Sequence, residues 1–175
     1  MISISHKTLR IVGFFVFEVM SILLYMRIEP YQKEHFKTCM QIIQSNTPKY
    51  ILPVEHLDYR NFLSRKHKKY FVFLKNNVLV ACGGYGFNKT KTQAGLSWGL
   101  VHRRYHKQGY GSHLIKFRLH HVKSIYPDIE IHLGTSQHTY GFFEKFGFKI
   151  KKITKNGYGK GLNKYDMILN EDSNF

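Results

Sequence analysis

Hydrophobic and polar positions recur along this chain with two periods, and the period changes at prolines, glycines and asparagines. "MRIEPY", residues 26–31, reads as a short strand ended by Pro30. From Gln32 to Ser45 the apolar residues Phe36, Met40 and Ile43 fall at helical spacing. Pro53 opens a second helix, "VEHLDYRNFLSR", because proline is tolerated in a first turn. Either Leu57 with Asn61, or Tyr59, Phe62 and Leu63, would turn inward there. "YFVFLKNNVLVACGGYGF" predicts a hairpin turning at Asn76-Asn77, since asparagine tolerates the positive φ of a tight turn.

"AGLSWGLV" predicts a further strand, with Leu96, Trp98 and Leu100 on one face and Ser97, Gly99 and Val101 on the other. Ser112 to Tyr126 predicts a helix stopped by Pro127. "IEIHLGT" follows as a strand, and Tyr140 to Phe146 as a short helix stopped at Gly147. "FKIKKI" and "YDMIL" close the chain as strands. The hairpin strands are antiparallel, and the passage from Leu96 to Thr135 is a right-handed parallel crossover. The expected architecture is a mixed α/β fold with helices on both faces of one sheet.

Composition narrows this picture. A chain of 175 residues fits one domain and buries enough surface to need no disulfide or metal staple. With 43% hydrophobic residues it is a packed protein and not a disordered one. Cys39 and Cys82 lie far apart, which suits a reducing compartment and a cytoplasmic place. The eleven histidines show no metal-ligand spacing, so no metal is expected. Residues 1–25 form an apolar extension behind Lys7 and Arg10, laid out like a signal peptide. Glu18 interrupts it, no small-residue cleavage site follows, and the run is short for a membrane span. It reads as an upstream extension, a consequence of start-codon choice or a membrane-associated helix, and the domain proper as 26–175.

The formal charge of +16 draws polyanions: nucleic acid, acidic membranes or phosphorylated small molecules. Solvated lysines explain much of it equally well. Arg103, Arg104 and Lys107 differ from the rest because they adjoin a glycine turn that opens a helix. The first N–H groups of a helix lack partners and its dipole is positive there, so a pyrophosphate fits. Gly109 and Gly111 would let the backbone approach it. Gly-x-Gly is weak evidence when it stands by itself, and a turn of this kind also serves as a mere connector.

The ordered series "LSWGLV…YHKQGYGSHLI…IEIHLGTSQHTYGFFEKFGF" resembles the GNAT acyltransferase superfamily. Its cofactor loop corresponds to His106-Lys107-Gln108-Gly109-Tyr110-Gly111, with His106 departing from the family's Arg or Gln. Its later helix motif corresponds to Phe143-Glu144-Lys145-Phe146-Gly147-Phe148. "NGYGKGLNKYDMIL" is similar to the tail of bacterial single-domain members. The resemblance spans roughly 26–170 and implies a mostly antiparallel sheet of about six or seven strands with one splayed parallel pair.

It further implies an acyl-CoA-dependent N-acetyltransferase with acetyl-CoA as co-substrate and an amine of a small molecule or protein as acceptor. Backbone amides from Gln108 to Ser112 would hold the pyrophosphate, and pantetheine would pair with exposed backbone near Leu100 and Val101. Ser136 stands where many members carry a cofactor-touching Asn, although Thr135 and Ser136 serve equally as a helix cap. Phe142 and Phe143 would flank the thiol, with core packing the stronger reading for Phe142. Phe143 occupies the position of the family's general-acid tyrosine, and Tyr140 is its nearest substitute on the helix face. Glu55 is the candidate base, with a solvated helix-start carboxylate as its plain alternative. Glu130 and His132 share one strand face, towards or away from the cleft. Cys82 has no evident base and no nucleophilic role.

A second class of function stays open: a basic GNAT-like module that binds RNA or the ribosome with little catalysis. The charge and the lost tyrosine favour it. The lack of a repeated base-stacking signature weighs against it, and no specific nucleic acid or firm membrane association is expected. A homodimer is compatible with everything above.

Overall fold

A computed structural model describes residues 26–65 and 69–170; the apolar extension 1–25 lies outside the described residues. In chain order the elements begin with β1 (Met26–Pro30), a 3-10 turn (Lys33–His35), α1 (Phe36–Asn46) and α2 (Glu55–Leu63). The hairpin β2 (Tyr70–Lys75) and β3 (Val78–Phe87) follows, then β4 (Gln93–Val101) and a 3-10 turn (Arg103–Tyr105). The chain continues with α3 (Tyr110–Lys123), β5 (Glu130–Ser136), α4 (Tyr140–Glu144), β6 (Phe148–Gly159) and β7 (Leu162–Leu169).

The described residues build a seven-stranded sheet in the order β1-β2-β3-β4-β5-β7-β6. Every neighbouring pair is antiparallel except β4 with β5. That architecture is the mixed fold with one parallel pair expected from the sequence. Period-two alternation in β2 divides the core. Phe71 and Phe73 pack on the α3 face with Ile115, Leu119, Ile131 and Leu133, while Tyr70, Val72 and Leu74 pack on the face of α1 and α2 with Ile42, Ile43 and Tyr59. The turn at Asn76 and Asn77 has φ of 48° and 62°, as a two-residue hairpin demands.

Three details differ from the sequence pattern. The closing strands are longer than "FKIKKI" and "YDMIL", because β6 and β7 pair with each other almost to the Gly159–Leu162 tip. Helix α3 begins two residues earlier than Ser112, at Tyr110. Most consequential, Leu96, Trp98 and Leu100 do not share a face. Leu96 packs with the α3-side core, whereas Trp98 and Leu100 join the other one. The cause is a β-bulge. Gly84 pairs with Ser97 and Cys82 with Leu100, so β4 carries one extra residue opposite Gly83, and Trp98 takes φ of 41°.

Candidate active site

The bulge sits where the sheet opens. β4 and β5 pair only from Gln93–Glu130 to Leu96–Leu133, and beyond that point the two strands part. Among the described residues, the remaining half of β4 therefore has β3 on one side and no strand on the other. His102 donates to Val80 (2.9 Å), and Leu100 faces Cys82 in register. Alternation of an antiparallel ladder then turns the polar backbone of Leu100 towards β3 and that of Val101 towards the opening. Of the two residues Leu100 and Val101, it is Val101 whose amide faces the opening.

The Val101 carbonyl is already engaged. Asn46 Nδ2 donates to it (2.9 Å), and so does His106 Nε2 (2.9 Å). Asn46 is buried at the end of α1, where Nδ2 also reaches the Ile42 carbonyl (2.9 Å). His106, the residue that departs from the family's Arg or Gln, thus closes the base of the turn with a side-chain bond. What stays open on this edge is the Val101 N–H.

Directly after this edge comes the glycine turn. Gly109 is the N-cap of α3 in the left-handed region at φ 85°, which a residue with a Cβ enters only with strain. Lys107 also has positive φ, 61°. Among the described residues, none accepts a hydrogen bond from the amides of Gln108, Gly109, Tyr110, Gly111 or Ser112. The permanent charges beside them are Arg103, Arg104 and Lys107. His102 accepts from Arg104 N (3.2 Å), and burial first, then His106 and Arg104, hold its pKa below 6.5. Tyr50, from the loop after α1, stands edge-on to His106 (5.5 Å between centroids) and to His138 (6.0 Å), bridging the two sides of the opening.

On the β5 side, Ser136 is buried and accepts from His138 N (3.4 Å), and its carbonyl accepts from Thr139 N (3.0 Å). Its hydroxyl organises the turn into α4, as a cap does. Phe142 reaches the glycine turn, with its ring 3.4 Å from where a Cβ on Gly111 would lie. Phe143 instead packs edge-on to Phe148 (6.0 Å). Tyr140 stacks on Tyr165 at 4.8 Å and 11°.

Glu55 accepts from Leu52 N (2.9 Å) at the start of α2, and burial raises its carboxyl above the ordinary 4.5. The structure shows no contact between Glu55 and Tyr140 among the described residues. Glu55 adjoins Tyr158, whose phenol is pushed up to about 12 by burial first and then by the Glu55 and Asp166 carboxylates. Tyr158 Oη, Lys164 Cε and Asp166 Oδ1 crowd Gly134, where a Cβ would lie 2.8, 3.2 and 3.9 Å from them. The tip of the β6–β7 hairpin meets Leu52 at Gly159, so this hairpin walls the opening on the side of α2. Nothing in the local sequence signalled Tyr158 or Asp166, because the hairpin brings them there from the far end of the chain. Glu130 bonds His132 and Gln93 at the exposed rim, before the strands part. Cys82 is buried against Tyr59 Oη (3.3 Å), away from the opening.

An open strand edge beside free amides on a left-handed glycine suits a coenzyme A thioester, with pantetheine along the edge and pyrophosphate on the turn. The acetyltransferase (GNAT) family model matches residues 36–148. The chain belongs to the GNAT acetyltransferase family. It is an N-acetyltransferase, and acetyl-CoA is its co-substrate. No curated protein matches it.

Many solved structures share the fold. The ribosomal-protein-S18-alanine N-acetyltransferase of Escherichia coli is 18% identical with a TM-score of 0.68, covering 86% of this chain and 99% of its own. Ard1 of Thermoplasma volcanium is 20% identical with a TM-score of 0.66, covering 84% and 99%. Naa50 of Arabidopsis thaliana, in complex with a bisubstrate analogue CoA-Ac-MVNAL, is 16% identical with a TM-score of 0.64, covering 83% and 99%. Among the described residues no helix is long and apolar enough to cross a membrane, and no cluster of metal-ligating side chains occurs.

Proposed function

We propose that this GNAT protein transfers the acetyl group of acetyl-CoA to an amine of a small molecule or protein by direct attack in a ternary complex, in the cytoplasm. The observation that carries this reading is the unpaired Val101 edge running into the amides of Gln108 to Ser112. Those amides hold the pyrophosphate, with Lys107 adding attraction. The Val101 N–H meets the thioester oxygen as negative charge develops on it. His106 and Asn46 fix the carbonyl of the same residue, so the edge is set before the ligand arrives.

The acceptor nitrogen attacks the thioester carbon. A C–N bond forms, the C–S bond breaks, and one amine proton passes to a base. Glu55 is that base: it lies on the α2 side of the opening, and burial raises its proton affinity towards the range where a general base works. Coenzyme A departs as a thiolate without a side-chain acid, since a thiol pKa near 8.5 makes it a fair leaving group. Phe143 is compatible with that route, and Tyr140, stacked on Tyr165, is not needed in it.

The test follows thiol release from acetyl-CoA against a panel of amines, together with thermal shifts on adding acetyl-CoA. Thiol release with at least one amine and a stabilising shift is the expected result. Stable protein showing neither, combined with tight RNA binding, would favour a basic binding module instead.

A further inference from the structure

Beyond the Leu96–Leu133 pair no ladder holds β4 to β5 among the described residues, yet the last residues of the two strands are joined by another route. On the β4 side, His106 Nε2 donates to the carbonyl of Val101, the final residue of that strand (2.9 Å). On the β5 side, the backbone N–H of His138 donates to Oγ of Ser136, the final residue of that strand (3.4 Å). Tyr50 stands between the two imidazoles. Its ring centroid lies 5.5 Å from that of His106 and 6.0 Å from that of His138, edge-on to both at 62° and 81°. Three rings thus run from the end of one parted strand to the end of the other.

Tyr50 is itself held from several sides. Its N–H donates to the Asn46 carbonyl (2.9 Å), which ties it to the end of α1. The Arg103 guanidinium lies 4.9 Å from its ring centroid and the Lys49 ammonium 5.6 Å, both within range of cation–π attraction. Arg103 is anchored in turn by its N–H on Ser45 Oγ (3.0 Å), on the same helix. The Tyr50 side chain packs with the core on the side of α1 and α2, so the bridge crosses the opening on the face opposite α3. His106 has need of such a neighbour. The outer torsion of an imidazole is broad, so a bond from Nε2 fixes its ring less well than that bond combined with an edge-on aromatic contact.

We propose that Tyr50 is a positioning residue for the cofactor edge: acting through His106, it braces the Val101 carbonyl and holds the ends of β4 and β5 at the separation that a pantetheine arm needs. This rests on the coenzyme A reading of the glycine turn. The brace is made by rings and does not use the Tyr50 hydroxyl, so an aromatic replacement keeps it and an aliphatic one does not.

Calorimetric titration of the full chain with acetyl-CoA tests this through a double-mutant cycle. Tyr50→Leu, which keeps an apolar side chain and loses the ring, is expected to weaken binding about fivefold, the scale of an edge-on aromatic contact. Tyr50→Phe should restore it. His106→Ala should weaken binding at least as much as Tyr50→Leu. The double variant Tyr50→Leu/His106→Ala should then match His106→Ala, because a residue that acts through His106 has nothing left to act on. His138→Ala cuts the bridge at its far end and should weaken binding in the same direction. Wild-type or tighter affinity in folded Tyr50→Leu or His138→Ala overturns the proposal. So does a Tyr50→Phe as weak as Tyr50→Leu, or a Tyr50→Leu loss that persists in full on top of His106→Ala. In each of those cases the wild-type protein still binds acetyl-CoA, and only the brace falls. If the wild-type protein binds no coenzyme A species, the reading of the turn falls and takes this one with it.

Discussion

At the residue scale, Glu55 carries the sharpest expectation. Burial is the largest influence on its carboxyl and raises it above 4.5 in the fold, against a weaker opposing effect of the Leu52 N–H. A raised acid favours its protonated form in the folded state. Its contribution to stability is therefore greatest below the ordinary value and declines as pH rises through the folded value. Activity runs the other way, because only the carboxylate accepts a proton. The rising limb of kcat/KM should lie above 4.5, and Glu55→Gln should remove that limb and lower kcat by about a hundredfold, the usual scale for a general base. Glutamine keeps an oxygen for Leu52 N, so the fold should survive. Steady-state rates against pH in both proteins decide it.

Tyr140→Phe keeps the ring that stacks on Tyr165 and loses only the hydroxyl. With an unaided thiolate leaving group its kcat should fall far less than the roughly hundredfold expected for loss of a general acid. Phe143→Tyr should leave kcat level or raise it. A hundredfold loss in folded Tyr140→Phe would return the acid role to that residue.

At the element scale, the β4–α3 turn joins two devices, a strand edge held from behind and a helix start with free amides. Asn46→Ala removes one of the two donors to the Val101 carbonyl and leaves α1 less firmly tied to β4. Losing a buried bond of this kind costs about 1–3 kcal/mol. The KM for acetyl-CoA should rise more than kcat falls, because the edge acts on the bound thioester before and during reaction alike. Gly109→Glu and Gly111→Glu should both abolish the thermal shift with acetyl-CoA. The first also forces a side chain into the left-handed region, at roughly 1–2 kcal/mol. Gly111→Ala is the control: its Cβ would meet Phe142 at an ordinary 3.4 Å, so the fold should accept it.

At the scale of the whole molecule, β1 begins at Met26 and pairs with β2 from its first residue, Met26 with Lys75. Deleting residues 1–25 should therefore leave a chain that still binds acetyl-CoA, as thermal shift would show. An aggregated truncation, where the full chain stays in solution, would mean that the apolar segment packs on the described fold. Part of the +16 charge has a structural use. Lys149, Lys151, Lys152 and Lys155 lie exposed along β6, the outer strand, where lysines discourage pairing with other sheets. RNA binding, measured against salt, should accordingly be steep in slope and indifferent to sequence.

The sequence by itself determined the elements, their order and the glycine turn before α3. Helical and strand periods are local properties, and a left-handed glycine before a helix leaves a local trace in Gly109. The family motifs were legible for the same reason. The tertiary structure decided what happens between elements. A bulge arises from the register of two strands, so the alternation of "AGLSWGLV" placed Leu96 with Trp98 and Leu100 when pairing to β3 separates them. Which amide of β4 is free depends on which neighbour takes the other side, and that chose Val101 over Leu100. Tyr158 comes under the influence of Glu55 only because the β6–β7 hairpin reaches back across the opening. Arg118 reads as one more cation on a basic helix until packing removes its solvent, and the desolvation of a charge is a property of its surroundings that no stretch of sequence displays.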